Sequence, residues 1–278
     1  MVKTVLFSIA LLCAFIVNAQ KMPEDYFDEA SNYYEEEAYT KALESYQYLI
    51  ENHPKNVLYP RAFYNVGYIH FVLENDTEAL KIFKAILESN FNEKEDLGGG
   101  IMSDPFTNYR HRSCEIISKI YFNNKEYESA LKYFELADTA YPYLSFCGFA
   151  ASYNEIQTAA RYGFIYYKLK QPQKALKKLL PHAFTTYTDN DLIIKYLKEL
   201  LSTEKDLISK LELAIKDLYF KEFGVGELEF NQYYLNFYDV KIAVPNQHYY
   251  DAENFDHAMI IDYIRSSAFY KMIVSLDQ

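Results

Sequence analysis

The sequence has no tryptophan and only three cysteines, Cys13, Cys114 and Cys147. Three thiols exclude a disulfide framework, and none of them forms the paired Cys-x-x-Cys of a structural zinc site. Cations are also scarce: 28 Lys and Arg stand against 39 Asp and Glu, for a formal charge of −11. That balance disfavours binding through a nucleic-acid phosphate backbone. After Val17 there is no further apolar run of the roughly twenty residues that a membrane-spanning helix needs. Gly-x-Ser-x-Gly, His-Glu-x-x-His and the glycine-rich dinucleotide fingerprint are all missing, so the expectation is a chain that is not an enzyme and needs no cofactor. Gly98, Gly99 and Gly100 are not followed by Lys-Ser/Thr and no strand precedes them, which rules out a phosphate-cradling loop.

What is present begins with an address. Residues 1–19 carry Lys3, an apolar run from Val5 to Val17, and Val17-Asn18-Ala19, the layout of a cleaved secretory signal. The expectation is export, to a periplasm-like compartment or outside the cell. Leu12 stands before Cys13 where a lipoprotein needs a small residue, so lipidation is not expected. Cleavage leaves 259 residues with a formal charge of −12, ample for a continuous core. Cys114 and Cys147 then remain, either as two small buried thiols or as one bridge in an oxidising compartment.

The dominant pattern is a repeat. Ala42, Ala79, Ala130 and Ala175 each precede Tyr46, Phe83, Phe134 or Leu179 by four residues. Twelve positions before each alanine stands a second small residue, Ala30, Gly67, Ser118 or Gly163, and three residues beyond that a large one, Tyr33, His70, Tyr121 or Tyr166. Small residues let two helices approach closely, and the aromatic one turn later fills the gap to the next helix. Two copies close on Pro54 and Pro142. The pattern resembles the tetratricopeptide repeat.

That resemblance implies an all-α fold, a right-handed superhelical α-solenoid of helix hairpins. The repeats fall at about 23–56, 60–93, 111–144 and 156–187, within a repeat region of 20–187. The alanines lie 37, 51 and 45 residues apart, against about 34 for tandem repeats of this type. The excess at 92–108, with its glycines, Asp104 and Pro105, reads as a loop. The excess at 143–153, with Phe146, Phe149 and Tyr153, reads as a segment folded back on the solenoid. Residues 188–224 read as a degenerate capping pair, with helices at Asp191–Leu201 and 204–223, the second capped by Thr203 and Asp206 and showing Leu207, Leu211, Ala214 and Leu218 on one face. In the remaining 225–278, a short strand is expected at 237–244 and a helix at 255–274, which fills the groove or covers the end of the stack.

The resemblance further implies a partner-binding groove built from the first helices. Carried over position by position, it consists of Phe27, Tyr34, Tyr64, Asn65, Tyr68, Phe71, Arg112, Lys119, Phe122, Arg161, Phe164, Tyr167 and Lys168. The Lys and Asn with which some such domains clamp a carboxy-terminal peptide are replaced by Phe27 and Ser31, which sets that subtype aside. Charge is unevenly divided: nine acids face Lys41 alone in 24–51, whereas 156–182 has six cations and no acid. The nearest approach to a metal site is His248, Asp251, Glu253, Asp256 and His257, whose spacing matches no known motif. The expected role is an exported scaffold that holds a protein or peptide partner, in a cell-envelope assembly or secretion system. The alternative is a binder of a non-protein ligand such as a glycan, with the carboxy-terminal segment as a pocket wall. Neither partner identity nor oligomeric state is written in these residues.

Overall fold

The computed structural model describes residues 21–95, 106–145, 148–185, 190–225, 228–245 and 257–277. Residues 1–19, the triple glycine, Cys147, His248, Asp251, Glu253 and Asp256 lie outside the described residues. Four helix hairpins come first: α1 (Pro23–Glu35) with α2 (Tyr39–Asn52), α3 (Tyr59–Val72) with α4 (Asp76–Glu88), α5 (Tyr109–Asn123) with α6 (Tyr127–Thr139), and α7 (Gly148–Lys168) with α8 (Pro172–Leu179). Each hairpin packs on the next through its second helix, giving an α-solenoid of helix hairpins.

The small residues are where the helices touch. All four marker alanines are fully buried, and Tyr46, Phe83, Phe134 and Leu179 are at most 3 % exposed. A Cβ added to Gly67 would lie 2.8 Å from Ile82 and 3.2 Å from Phe83, and one on Gly163 would lie 2.5 Å from Leu179 Cγ. At the equivalent place Ser118 instead donates its hydroxyl to the Ala130 carbonyl at 2.8 Å, so the crossing is close there too.

A further device repeats with the same period. Glu37, Glu74, Lys125 and Lys170, each five residues before a marker alanine, have φ of 56–65°. After each, the next N–H returns to the carbonyl of Tyr33, His70, Tyr121 or Tyr166 at 2.8–2.9 Å, and its own N–H bonds the residue after that one. This is a Schellman end on every first helix, built without glycine. The large residue of the repeat therefore both packs and accepts the bond that stops its helix.

The second junction, expected as a segment folded back on the solenoid with the fourth repeat starting at about 156, is mostly helix, because α7 starts at Gly148; no proline interrupts 148–155, and Ala150 and Ala151 favour the helix. Its described beginning does lie back on the stack: Asn108 exchanges two hydrogen bonds with the Leu144 backbone, and Tyr143 meets the His111 ring at 5.3 Å.

Beyond Phe184 the expected pair is half right. Helix α9 (Asp191–Leu201) has the expected bounds, but α10 is only Leu207–Lys216. The chain then enters β1 (Tyr219–Val225), which pairs with β2 (Leu228–Phe237), itself paired with β3 (Val240–Val244), all antiparallel. Aromatic and β-branched residues after Leu218 prefer a pleated surface with a partner strand, and the partner was not foreseen. The single strand expected at 237–244 likewise straddles a turn, with Tyr238 and Asp239 both at positive φ, 53° and 57°, as a two-residue hairpin demands. Asp206 sits at φ 57° and does not cap α10. Asp277 does so from the far end of the chain, accepting from the N–H groups of Leu207 and Ile208 at 3.2 and 2.9 Å. The expected final helix is two, α11 (His257–Ser266) and α12 (Ala268–Leu276), because Ser267 breaks the first and caps the second. Sheet and last helices cover the end of the solenoid, with Phe269 between Phe184 and Phe237 at 5.4 and 5.9 Å.

These contacts predict opposite signs for two changes that helix propensity would misjudge. Gly163→Ala, usually favourable in a helix, lowers stability by about 1–3 kcal/mol through overpacking on Leu179, whereas Lys170→Gly raises it by about 1 kcal/mol by relieving the left-handed backbone. Urea unfolding followed by circular dichroism measures both; the same sign for the two would contradict the packing.

Candidate binding groove

Helical spacing puts the side chains of each first helix that turn away from the packing stripe on one surface. In α3 these are Tyr64, Tyr68 and Phe71, and in α7 they are Arg161, Phe164 and Lys168. Their rings join across helices into a ladder. Tyr34 of α1 meets Tyr68 of α3 at 6.3 Å, Tyr68 meets Phe71 at 6.1 Å, and Lys119 of α5 lies over Phe71 at 5.3 Å. One turn along α5, Phe122 meets Phe164 of α7 at 5.0 Å, and Phe164 stacks on Tyr196 of α9 at 5.0 Å and 13°. The contacts thus cross all five first helices. Lys168 reaches over Phe164 and Tyr167 at 5.1 and 5.6 Å.

The ladder separates two recesses. In the first, Tyr46 extends from α2 between α1 and α3, and its hydroxyl is 2.9 Å from Ser31 Oγ and accepts from Asn65 Nδ2 at 2.9 Å. This bridge borders a cavity of about 380 Å³ lined also by Tyr34, Glu35, Tyr64, Tyr68 and Arg112, and a second of about 280 Å³, which shares Tyr64, Asn65 and Arg112 with it, reaches Phe27, Arg61 and Tyr109. Phe27 packs edge-on against Tyr46 at 5.3 Å, so it is wall and floor together. Glu95, at the rim of the first long junction, accepts from Arg61 Nε at 2.7 Å and from Tyr109 OH at 3.0 Å. The second recess, about 190 Å³, holds the Glu115–Arg161 ion pair at 2.8 Å with Asn154, Gln157, Thr158, Phe164 and Tyr196. Glu115 also faces Nε2 of the buried His111 at 3.7 Å, while His111 Nδ1 sits 2.9 and 3.1 Å from the Tyr141 and Ala137 carbonyls. Two carbonyl neighbours assign the neutral-ring proton to Nδ1.

All thirteen expected groove residues lie on the described first helices. Arg161 is committed to Glu115, and the other twelve fall into the two blocks joined by α5. The sequence reading missed Tyr196, Asn154, Gln157 and Thr158. The first sits on a helix assigned to a cap, Asn154 precedes residue 156, where the helix was expected to begin, and Gln157 and Thr158 fall in the first turn of that expected helix, ahead of the positions carried over from the repeat. The hydroxyl of Tyr46 was hidden behind its role as a packing aromatic. Of the five candidate metal ligands only His257 is described, against the Tyr233 ring at 5.8 Å. Among the described residues no group of three His, Cys, Asp or Glu could hold a metal ion, and no helix is long and apolar enough to cross a membrane. Cys114 is buried without a bridge, its thiol pushed up to about 12, first by burial and then by Glu115 and Glu93.

No family model matches the sequence, and no curated protein matches it. Among solved structures, the chain is similar to a tetratricopeptide repeat protein from Parabacteroides merdae ATCC 43184, with 15% identity and a TM-score of 0.46. The likeness covers 65% of this chain and 59% of that one, less than two thirds of its length.

Burial raises the Tyr64 phenol above its ordinary value, opposed in part by Arg112. The folded state therefore keeps this proton to higher pH than the unfolded chain does. The stability it contributes is fully present below about pH 10 and is lost as pH rises past that value. Tyr64→Phe is expected to move alkaline unfolding to higher pH in a circular-dichroism titration; an unchanged or lower midpoint would count against a buried phenol. Alkylation mapped by mass spectrometry is expected to leave Cys114 unmodified in the folded chain and to label it on unfolding without reductant. Labelling that requires reductant would show a bridge.

Proposed function

We propose that this chain is an exported, non-enzymatic scaffold that holds an extended segment of a protein partner on its first-helix face, in a cell-envelope assembly or secretion system. The observation that carries the proposal is the aromatic ladder across α1, α3, α5, α7 and α9, with open recesses of about 380 and 190 Å³ beside it. Half-buried Tyr and Phe with Arg and Asn beside them offer large contact area at fixed positions, which is how a few residues come to dominate a protein interface. Tyr64 and Tyr68, one turn apart on α3, lie within 16° of parallel, but the rings along the rest of the ladder are tilted, by 57° between Tyr34 and Tyr68, 54° between Tyr68 and Phe71 and 35° between Phe122 and Phe164. Phe164 and Tyr196 cover each other's faces. Such an arrangement makes notches for side chains rather than the coplanar platform on which sugar rings stack, so it favours the protein reading over a glycan. Export is supported by Lys3, the apolar run and Val17-Asn18-Ala19.

A pull-down from the envelope fraction of the source organism tests this, with the parent beside a Tyr64→Ala, Tyr68→Ala, Phe164→Ala variant verified as folded by circular dichroism. A protein enriched by the parent and lost by the variant is expected. Retention that ignores those side chains would remove the groove from the account.

A further inference from the structure

The two halves of the ladder differ in how their charges are compensated. In the carboxy-terminal half, Arg161 is neutralised by Glu115 at 2.8 Å. Lys119, Lys168 and Lys195 are not: all three are exposed, and among the described residues none forms an ion pair. Each instead stands over a ring of the face, Lys119 on Phe71 at 5.3 Å, Lys168 on Phe164 at 5.1 Å and Lys195 on Tyr196 at 6.0 Å. A cation over a ring gains little at an exposed site and keeps most of its hydration and its field. Among the lysines of the described residues, ion pairs are formed by Lys21, Lys81 and Lys210 alone, so an unpaired ammonium group is ordinary here; what distinguishes Lys119, Lys168 and Lys195 is that they stand along one aromatic line on the first-helix face. Asp191 and Glu199 border the outer opening beside Lys195, so the positive stretch is centred on α5 and α7.

The geometry points to an occupant of opposite charge: the half of the groove from α5 to α9 takes an extended acidic protein segment, its carboxylates on Lys119, Lys168 and Lys195 and its apolar side chains between Phe122, Phe164 and Tyr196. This inference rests on the reading of the groove as a protein-binding face. Charge complementarity is the argument for the occupant. The ammonium groups raise the local concentration of an acidic chain and fix its register, while the rings supply contact area. Asn154, Gln157 and Thr158 in the recess beneath offer both donors and acceptors, the pairing that successive peptide N–H and C=O groups require. The amino-terminal block, with Glu24, Asp28 and Glu35 on α1, carries the reverse sign. A long partner would therefore lie with its acidic stretch over α5 to α9.

The test uses the full chain and three fluorescent peptides of about a dozen residues, long enough at about 3.3 Å each to cross these three helices. One alternates Glu with Phe and Tyr, the second replaces every Glu by Gln, and the third replaces every Glu by Lys. Fluorescence anisotropy is expected to rank them acidic, amide, basic, with the acidic peptide weakened at least about tenfold between about 50 and 500 mM salt. A Lys119→Gln, Lys168→Gln, Lys195→Gln variant, whose changes are all at exposed positions, is expected to lose at least about tenfold for the acidic peptide and to keep its affinity for the amide one. Equal, salt-insensitive binding of the acidic and amide peptides would overturn the charge preference and leave the groove as a protein site. Failure of all three peptides to bind would overturn this inference, while the pull-down judges the groove separately. Binding of polygalacturonate, lost in the lysine variant, with no binding of the acidic peptide, would identify an anionic glycan as the occupant instead.

Discussion

The close approach of helices at small residues is the constraint on which the rest depends. Gly163 has no room for a methyl group against Leu179, Gly67 has almost none against Ile82 and Phe83, and Ser118 bonds directly to the Ala130 carbonyl. These contacts fix how each first helix sits on its second, and so which of its side chains are left facing outward. Shifted by one residue, a helix would turn its groove side chains by about 100°, and Tyr68 would no longer meet Tyr34. The ladder is thus a consequence of packing on the opposite side of the same helices.

The ends of the first helices are set by the large residues three positions beyond the small ones. Tyr33, His70, Tyr121 and Tyr166 pack in the hairpin and lend their carbonyls to the Schellman bond, so the turn and the core are fixed together. A left-handed residue follows in every copy, and in none is it glycine. Other irregularities are secured at long range. Asn108 holds the chain after α6, Asp277 caps α10 across the carboxy-terminal unit, and Glu95 ties the end of the α4 junction to Arg61 and Tyr109. The insertions that separate the repeats are in this way part of the rim of the face they interrupt.

How much of this could be read beforehand follows from the range of the interactions. The paired small residues lie twelve apart on one chain, and their burial was legible because the contact is local and its period strict. The same period placed the proposed groove residues on the first helices, where all thirteen lie. The carboxy-terminal unit was not: Leu207, Leu211, Ala214 and Leu218 are all buried as a helical face would have them, yet the chain turns to strand at Tyr219, since the outcome rests on a β2 partner up to fifteen residues further on. The left-handed turns carried no glycine to announce them, and the cap on α10 comes from a residue some seventy positions away. Tyr196 was overlooked because a helix assigned to closing the stack also contributes a ring to its face.

The central claim is that binding happens on the face built by the first helices. Photo-crosslinking in the source organism tests it most directly, with benzoylphenylalanine placed in turn at Tyr68 and Phe164 on the ladder and at Tyr48 and Leu213, which are 39% and 60% exposed elsewhere on the molecule. The account predicts that Tyr68 and Phe164 trap the same protein and that Tyr48 and Leu213 do not. Crosslinks from Tyr48 or Leu213 with none from the ladder would contradict it.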